Sequence, residues 1–223
     1  MKYIPRTLHI IRSCVVHFIL GGACCFTAFP FLWMAVSSLK TKEEVMAVDI
    51  FFPSDPQYQN YSEILFHSPI PRYLANSLLV AVSVVIIQVI CCALFTYAVT
   101  FMKAKGKNIL FRLVLFTYMV PTAVTYIPCY MILSRLGLLD SYGGLILSNG
   151  VSVFGIFLLH QAFAGVPSET MEAARMDGAG HLMILTRIIV PMTRPSFVTF
   201  ILLSFINTYN SYMWPSLITD SPD

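Results

Sequence analysis

Charged side chains are scarce in this chain of 223 residues. Asp, Glu, Lys and Arg together make up 11% of it, whereas a soluble domain carries about 25%. The hydrophobic share is 57%, and the mean hydropathy is +0.74. This number of charged residues is too small to give a globular domain of this size a water-compatible surface. Most of the surface is therefore expected to face lipid. The formal net charge of +3 is too small to indicate a nucleic-acid partner.

Sequence motifs of catalysis are also missing. The chain has no GxxxxGKS or GxxxxGKT phosphate loop, no HExxH and no GxSxG. We therefore expect no enzymatic activity, and no cofactor or metal bound by this chain itself. The cysteines lie in apolar runs as two adjacent pairs and two single residues, which fits neither a metal site nor a disulfide framework. They are expected to be small packing residues in lipid: Cys14, Cys24, Cys25, Cys91, Cys92 and Cys129.

Long apolar segments account for most of the chain. A helix needs about 20 mostly apolar residues to cross a bilayer. The sequence predicts a single all-α, polytopic transmembrane domain over residues 1–223. The N-terminus is basic and then apolar, like a signal peptide, but its apolar run continues to about Val36 with no convincing cleavage site, so it reads as a retained span. The predicted spans are about 14–36, 74–101, 109–133, 145–163 and 196–218.

Basic residues are distributed unevenly between the two sides of these spans. Ten of them lie on the side of the N-terminus: Lys2, Arg6, Arg12, Lys103, Lys105, Lys107, Arg112, Arg175, Arg187 and Arg194. Four lie on the other side: Lys40, Lys42, Arg72 and Arg135. Because cytoplasmic loops carry the excess of Lys and Arg, the N-terminus and the loop 166–195 are predicted to be cytoplasmic. The loop 38–72 is then external, either as a docking surface for an external partner or as a packed cap.

Proline and asparagine residues within the predicted spans are candidates for lining a pathway. Pro121 and Pro128 would each remove one backbone hydrogen bond from the third span and bend it. Asn149 lies in the fourth span, and Asn207 and Asn210, three residues apart, share a face of the fifth. Packing against neighbouring helices is the alternative role for all five.

The polar segment from Val166 to Pro195, which we call the polar loop, is the most distinctive feature of the sequence. Pro167 suits the first turn of a helix, with Ser168 or Thr170 as a cap, and Gly178 suits the left-handed residue that ends one. A second helical run, 181–189, is expected to continue through Pro191 into the fifth span. Helical spacing predicts one contact face, made of Met171, Ala174, Arg175 and Gly178.

The charge of the polar loop bears on its partner. An amphipathic connector that rests on lipid is usually basic. Here Glu169, Glu172 and Asp177 make the first half acidic, and anionic lipid would repel it. A protein partner is therefore favoured over the lipid surface.

The spacing in the polar loop resembles the EAA loop of permease subunits of bacterial ABC importers. Glu172-Ala173-Ala174 is followed by Gly178, Ile188 and Val190-Pro191, with valine where leucine is usual. Further segments are similar to the maltose-type inner permease of the carbohydrate-uptake branch. They are Ser37–Thr41, Asn60-Tyr61, Arg72-Tyr73, Asn76-Ser77, Pro121–Pro128, Leu136–Leu138, Phe154–Leu159, Trp214-Pro215 and Ser221–Asp223.

This resemblance implies a set of partners in a bacterial plasma membrane. A second, homologous permease would enclose the pathway, an external solute-binding protein would deliver a sugar, and two ATPase subunits would bind ATP and Mg on the cytoplasmic side. Glu172 would contact a basic group of the ATPase, and Ala173 and Ala174 would fit its cleft. Asp177, Gly178 and Pro191 complete the implied coupling site.

The resemblance also implies a sixth span beyond Asp223, so the chain is expected to be a truncated form with five spans. Two rival functions remain open. One is an ABC permease for glycerol phosphate, amino acids or peptides. The other is a secondary transporter or channel, which is disfavoured because no predicted span has a central Asp or Glu for ion coupling.

Overall fold

Helices form nearly all of the regular structure. The computed structural model describes residues 6–47 and 51–219, with side chains from Arg12 onward. Lys2, Asp49 and Ser221–Asp223 lie outside the described residues. No strand occurs in these ranges, which agrees with the predicted all-α class. The helices are α1 (Arg6–Ser37), α2 (Lys42–Met46), α3 (Gln59–His67), α4 (Ile70–Phe101), α5 (Lys107–Thr117), α6 (Thr122–Arg135), α7 (Tyr142–Ser148), α8 (Val153–Ala164), α9 (Ser168–Met176), α10 (His181–Ile184), a π-helical turn (Leu185–Ile189), α11 (Val190–Met192), α12 (Arg194–Tyr209) and α13 (Met213–Ile218).

Two of these helices are long and apolar enough to cross a membrane unbroken. They are the part of α1 from Arg12 to Ser37, and α4. Three further pairs reach this length only together, with bends of 104° between α5 and α6, 45° between α7 and α8, and 85° between the helix His181–Met192 and α12. Between two and five spans are therefore compatible with the described helices, and the predicted span boundaries stay predictions.

The two prolines of the third predicted span differ in their effect. Pro121 lies at the break itself, as the residue before α6, with φ −58° and ψ 130°. Before it, the amides of Tyr118, Met119 and Val120 each donate a hydrogen bond of 3.1 Å to the carbonyl three residues earlier in the chain. These bonds tighten the backbone at the end of α5. Pro128 lies inside α6, and the helix continues past it.

Contacts divide the chain into two compact units, 1–72 and 73–223. In the first unit, a capping box starts α2: Glu44 N–H donates to Thr41 Oγ1, and Thr41 N–H donates to Glu44 Oε2. Glu44 Oε1 also accepts from the Ser54 amide at 3.0 Å. Hydrogen bonds from the Ser54 amide and side chain, then from Thr41, hold the pKa of the Glu44 carboxyl below its usual value. Loop 38–72 thus has internal order of its own.

The second unit has its main core between α4, α8, α9 and α12. Its buried side chains come from all four helices and from the π-helical turn: Cys92, Ala93, Tyr97, Ile156, Leu159, Phe163, Met171, Ala174, Ile184, Leu185, Ile189, Phe197 and Phe200. A smaller core contains Leu133, Leu145, Trp214 and Ile218. The main core holds the polar loop against the apolar helices.

Trp214 is buried in the smaller core. Its side chain is 6% exposed, and its ring stacks on Tyr126 with centroids 5.2 Å apart. The indole N–H donates to Ser148 Oγ at 2.9 Å. A buried Trp needs a partner for its N–H, and Ser148 of α7 supplies it.

Gly155 allows the closest helix contact in this unit. A Cβ atom at this position would overlap the ring of Phe200 from α12. Phe200 is fully buried, and a Cβ atom at Gly155 would require its ring or α12 itself to shift. Helices in lipid gain little from the hydrophobic effect and depend on such close packing through small residues.

We predict that Gly155→Ala lowers the stability of the folded chain by about 1–3 kcal/mol, because the added methyl group forces α8 and α12 apart. Thermal unfolding in detergent measures this effect. Gly21→Ala in α1 is the matched control, since a Cβ there meets no atom within 4 Å. Equal unfolding temperatures for the two variants would contradict the prediction.

Candidate functional site

The first helix of the polar loop, α9, has a well-defined beginning and end. Pro167 precedes it with φ −58°, and no side chain caps the first turn, so the predicted cap by Ser168 or Thr170 is absent. At the other end Gly178 has φ +79°, the left-handed conformation that the sequence predicts. Gly178 N–H donates to the Arg175 carbonyl, and Ala179 N–H donates to the Ala174 carbonyl, both at 3.0 Å. This pair of bonds is a Schellman motif.

The two faces of α9 differ in exposure and in chemistry. Met171 is 3% exposed and Ala174 is 8% exposed, and both belong to the main core of this chain. The opposite face follows helical spacing and is exposed; we call it the outer stripe, and it consists of Glu169, Glu172, Ala173 and Met176. The surface available to another protein is therefore acidic, with Met176 as its one large apolar side chain.

This geometry corrects the predicted contact face. Met171 and Ala174 lie inside the chain rather than toward a partner, because they are the apolar side chains that fit between α4, α8 and α12. Glu172 and Ala173 keep the exposure that a partner contact requires, and so does Asp177. Met176, which is 88% exposed, was not singled out in the sequence, although its spacing from Glu169, Glu172 and Ala173 was the available signal.

Two polar contacts connect the polar loop with the end of α4. Arg175 Nη2 donates to the Phe101 carbonyl at 3.3 Å, and this carbonyl belongs to the last turn of α4, where no intrahelical partner is available. Tyr97 Oη and His181 Nδ1 share a hydrogen bond of 3.0 Å. These contacts join residues 74 and 84 positions apart in the sequence, so no local pattern could have revealed them.

The segment around Pro191 is neither straight nor continuous with the fifth span, which corrects the sequence expectation. The five residues Leu185–Ile189 form a π-helical turn, and Val190 N–H donates to the Leu185 carbonyl, five residues back. Pro191 has no N–H, and its ring crowds the preceding turn, so a wider turn relieves the clash. The chain then bends by 85° at Thr193 before α12.

A polar cavity of about 440 Å³ lies within the second unit. Gln88 at its wall is 7% exposed; its Nε2 donates to the Asn149 carbonyl at 2.6 Å, and its Oε1 accepts from Ser204 Oγ. The lining residues are Val80, Gln88, Tyr118, Leu145, Asn149, Ser152, Phe154, Phe200, Leu203, Ser204, Asn207, Thr208, Ser211 and Pro215.

Only some of the residues predicted to line a pathway lie at this cavity. Asn149 and Asn207 belong to the lining, whereas Asn210, Pro121 and Pro128 do not. The Asn210 amide instead donates to the Ile206 carbonyl of its own helix at 2.9 Å. Asn207 and Asn210 are three residues apart, but α12 ends at Tyr209, so their shared face does not extend to Asn210. Gln88 and Ser204 were missed because each reads as an isolated polar residue in an apolar segment.

No group of three or more His, Cys, Asp and Glu side chains with metal-binding geometry occurs in the described part of the chain.

Comparison with known proteins places these features in a family context. The profile of the family described as "Binding-protein-dependent transport system inner membrane component" matches residues 89–223. The sn-glycerol-3-phosphate transport system permease protein UgpE of Brucella abortus is 28% identical over 218 residues, which are 94% of this chain and 77% of that protein. The arabinooligosaccharides transport system permease protein AraQ of Bacillus subtilis is 30% identical over 199 residues, 87% of this chain and 71% of that protein.

A solved structure resembles the whole fold. It is a crystal structure of a bacterial ABC transporter involved in the import of the acidic polysaccharide alginate. The TM-score is 0.87 at 25% sequence identity, and the match covers 99% of this chain and 78% of that chain.

We predict that Gly178→Ala destabilises the chain by about 1–2 kcal/mol, because alanine is strained in the left-handed conformation. The midpoint of thermal unfolding and the hydrogen exchange of the Ala179 amide measure the loss. Gly180→Ala is the control, since Gly180 has φ −74° and a Cβ there meets no atom within 4 Å. A Gly178→Ala protein as stable as the Gly180→Ala protein would contradict this account of the turn.

Proposed function

The chain belongs to the family of inner-membrane components of binding-protein-dependent transport systems, the permeases of ABC importers, and we propose that its polar loop couples ATP hydrolysis on a separate subunit to the passage of a sugar-type solute. The exposed outer stripe on a helix fixed to the core is the observation that carries this proposal. The chain is a transport subunit, and ATP and Mg are bound by its ATPase partner.

The outer stripe has the chemistry of a docking surface. Glu169 and Glu172 present two carboxylates one turn apart, which a basic cleft on an ATPase would complement. Ala173 lets a partner surface approach closely, and Met176 supplies an exposed, flexible apolar side chain. Asp177 and Gly178 form the turn that ends this surface, and the exposed Pro191 lies beyond it.

The inner face of α9 gives a route for the movement. Met171 and Ala174 are packed among side chains of α4, α8 and α12, so a push on the outer stripe moves a wedge within the core. Arg175 connects α9 with the carbonyl end of α4, and Tyr97 connects α4 with His181. A movement of α9 would therefore reach α4 directly, without passing along the bent segment near Pro191.

The partners follow from the same proposal. A second homologous permease completes the pathway, two ATPase subunits dock on the cytoplasmic face, and a solute-binding protein delivers the solute from outside. The N-terminus lies in the cytoplasm of a bacterial cell. A sugar is supported by relatives named for arabinooligosaccharides and alginate, and glycerol phosphate is the second candidate because several relatives are named for its transport.

We predict that Glu172→Lys reduces ATP-driven uptake by at least about tenfold, because a lysine would face the basic cleft and leave its cation unpaired. Uptake of the solute and ATP hydrolysis are measured together in proteoliposomes that contain the complete importer, and membrane insertion is measured separately.

Glu43→Lys makes the same charge change in the exposed helix α2 of the predicted external loop and should leave uptake unaltered. Full, ATP-coupled uptake by the Glu172→Lys importer would refute the coupling role.

A further inference from the structure

The polar side chains of α12 that face the cavity are spaced for a shared surface. Ser204, Asn207 and Thr208 follow the positions i, i+3 and i+4 of α12 and line the cavity; Ser211, which lies beyond the end of the helix at Tyr209, lines it too. Ser204 is occupied by its hydrogen bond to Gln88. Within the described part of the chain, the side chains of Asn207, Thr208 and Ser211 make no hydrogen bond. Unused polar groups at membrane depth occur where a helix faces a water-filled cavity or a polar ligand.

Gln88 and Asn149 add fixed polar groups opposite this surface. The Gln88 amide is held by Asn149 and Ser204, and it retains one N–H and one lone pair for a further partner. Both amide protons of Asn149 are used, at the Leu145 carbonyl and at Ser148 Oγ, so its side-chain oxygen is the atom left to accept. The lining therefore offers both donors and acceptors, as hydroxyl groups require, since each hydroxyl both donates and accepts.

Aromatic and apolar side chains complete the walls. Phe154, Phe200 and Tyr118 contribute rings, and the volume of about 440 Å³ lies in the range of about 300–1,000 Å³ that is usual for small-molecule sites. Rings next to a few polar groups suit a sugar, which has C–H faces and a hydroxyl rim.

The cavity lacks the groups that bind an anion. Every polar side chain in its described lining is an amide, a hydroxyl or a phenol, with no Lys, Arg or His. Phosphates and carboxylates are recognised by such cations or by uncapped helix N-termini. Helix α8 begins at this wall, but Ser152 Oγ already accepts from the Gly155 amide at 3.1 Å and so occupies the capping position.

An adjoining cavity of about 370 Å³ shares Val80, Leu145, Thr208, Ser211 and Pro215 with the first cavity.

We propose that the polar cavity is a subsite for a neutral, hydroxyl-rich solute, and that this chain disfavours phosphate- and uronate-bearing solutes there. The inference rests on the proposed transport function and narrows its substrate class.

The first test uses the complete importer with its binding protein in proteoliposomes and measures uptake and stimulated ATP hydrolysis. The neutral probes are maltose, maltotriose, arabinotriose and xylobiose; the anionic probes are sn-glycerol 3-phosphate, glucose 6-phosphate and an alginate trisaccharide. We expect stimulation by at least one neutral saccharide and by none of the anions. Stimulation by an anion alone, or by no probe, overturns the inference. The proposed coupling role is judged separately, by the ATP hydrolysis of the Glu172→Lys importer.

The second test uses two asparagines of one segment. Asn207→Ala should lower uptake of the stimulating saccharide about tenfold, as the loss of a good hydrogen bond does, whereas Asn210→Ala should leave it within about twofold, because Asn210 is outside the lining. Equal uptake by the two variants overturns the placement of the subsite.

A charge change at Asn207 distinguishes the solute classes by the sign of the effect. Asn207→Asp keeps an acceptor and should retain most uptake of a neutral saccharide, and Asn207→Arg should lower it. For an anionic solute the order is reversed, with Asn207→Arg the better transporter. Higher uptake by the Asn207→Arg importer than by the Asn207→Asp importer would overturn the inference. The amount of each variant in the membrane is the control for folding.

Discussion

The burial of Met171 and Ala174 in the main core, together with side chains of α4, α8, α12 and the π-helical turn, is the packing on which the rest of the structure depends. It turns a polar segment into part of an apolar core, and it leaves the acidic side of the same helix outside. Without it, α9 would be a connector whose movement had no consequence for the apolar helices. With it, one helix has a partner-facing side and a core-facing side. The close packing of Gly155 on Phe200 gives that core a rigid wall.

Several polar groups within the apolar helices are paired inside the chain or face a cavity, whereas Thr100 Oγ1 and His160 Nδ1 are buried without a hydrogen-bond partner. Trp214 uses Ser148, and Gln88 uses Asn149 and Ser204. In hydrocarbon an unpaired polar group costs several kcal/mol, so these bonds constrain how α7, α12 and α13 are placed around α4. The side chains of Asn207, Thr208 and Ser211 remain available, and all three lie at the cavity.

Features set by local chemistry were predictable from the sequence, and features set by distant contacts were not. Gly178 predicts a left-handed turn because glycine adopts that conformation with the least strain, and the structure has that turn. The apolar composition likewise predicts helices. By contrast, helical spacing defines a face without saying which way it points, so Met171 and Ala174 were assigned to a partner instead of the core.

Proline shows the same limit. Pro121 lies at the break before α6 and Pro128 lies inside α6, although both stand in one apolar segment. The contact of Tyr97 with His181 spans 84 residues and has no local signature. At the cavity, Asn149 and Asn207 could be suspected from their polarity, but Asn210 carries the same signal and lies elsewhere.

The π-helical turn at Leu185–Ile189 sets the phase between the polar loop and α12. A π turn accommodates one residue more than an α turn, and each residue of an α-helix corresponds to a rotation of about 100°. If this segment lost one residue and became α-helical, everything before it would rotate by about that angle relative to α12. Met171 and Ala174 would then swing out of the core, and the carboxylates of α9 would turn toward it. The length of this short turn therefore sets which side of α9 is buried in the core and which side is exposed.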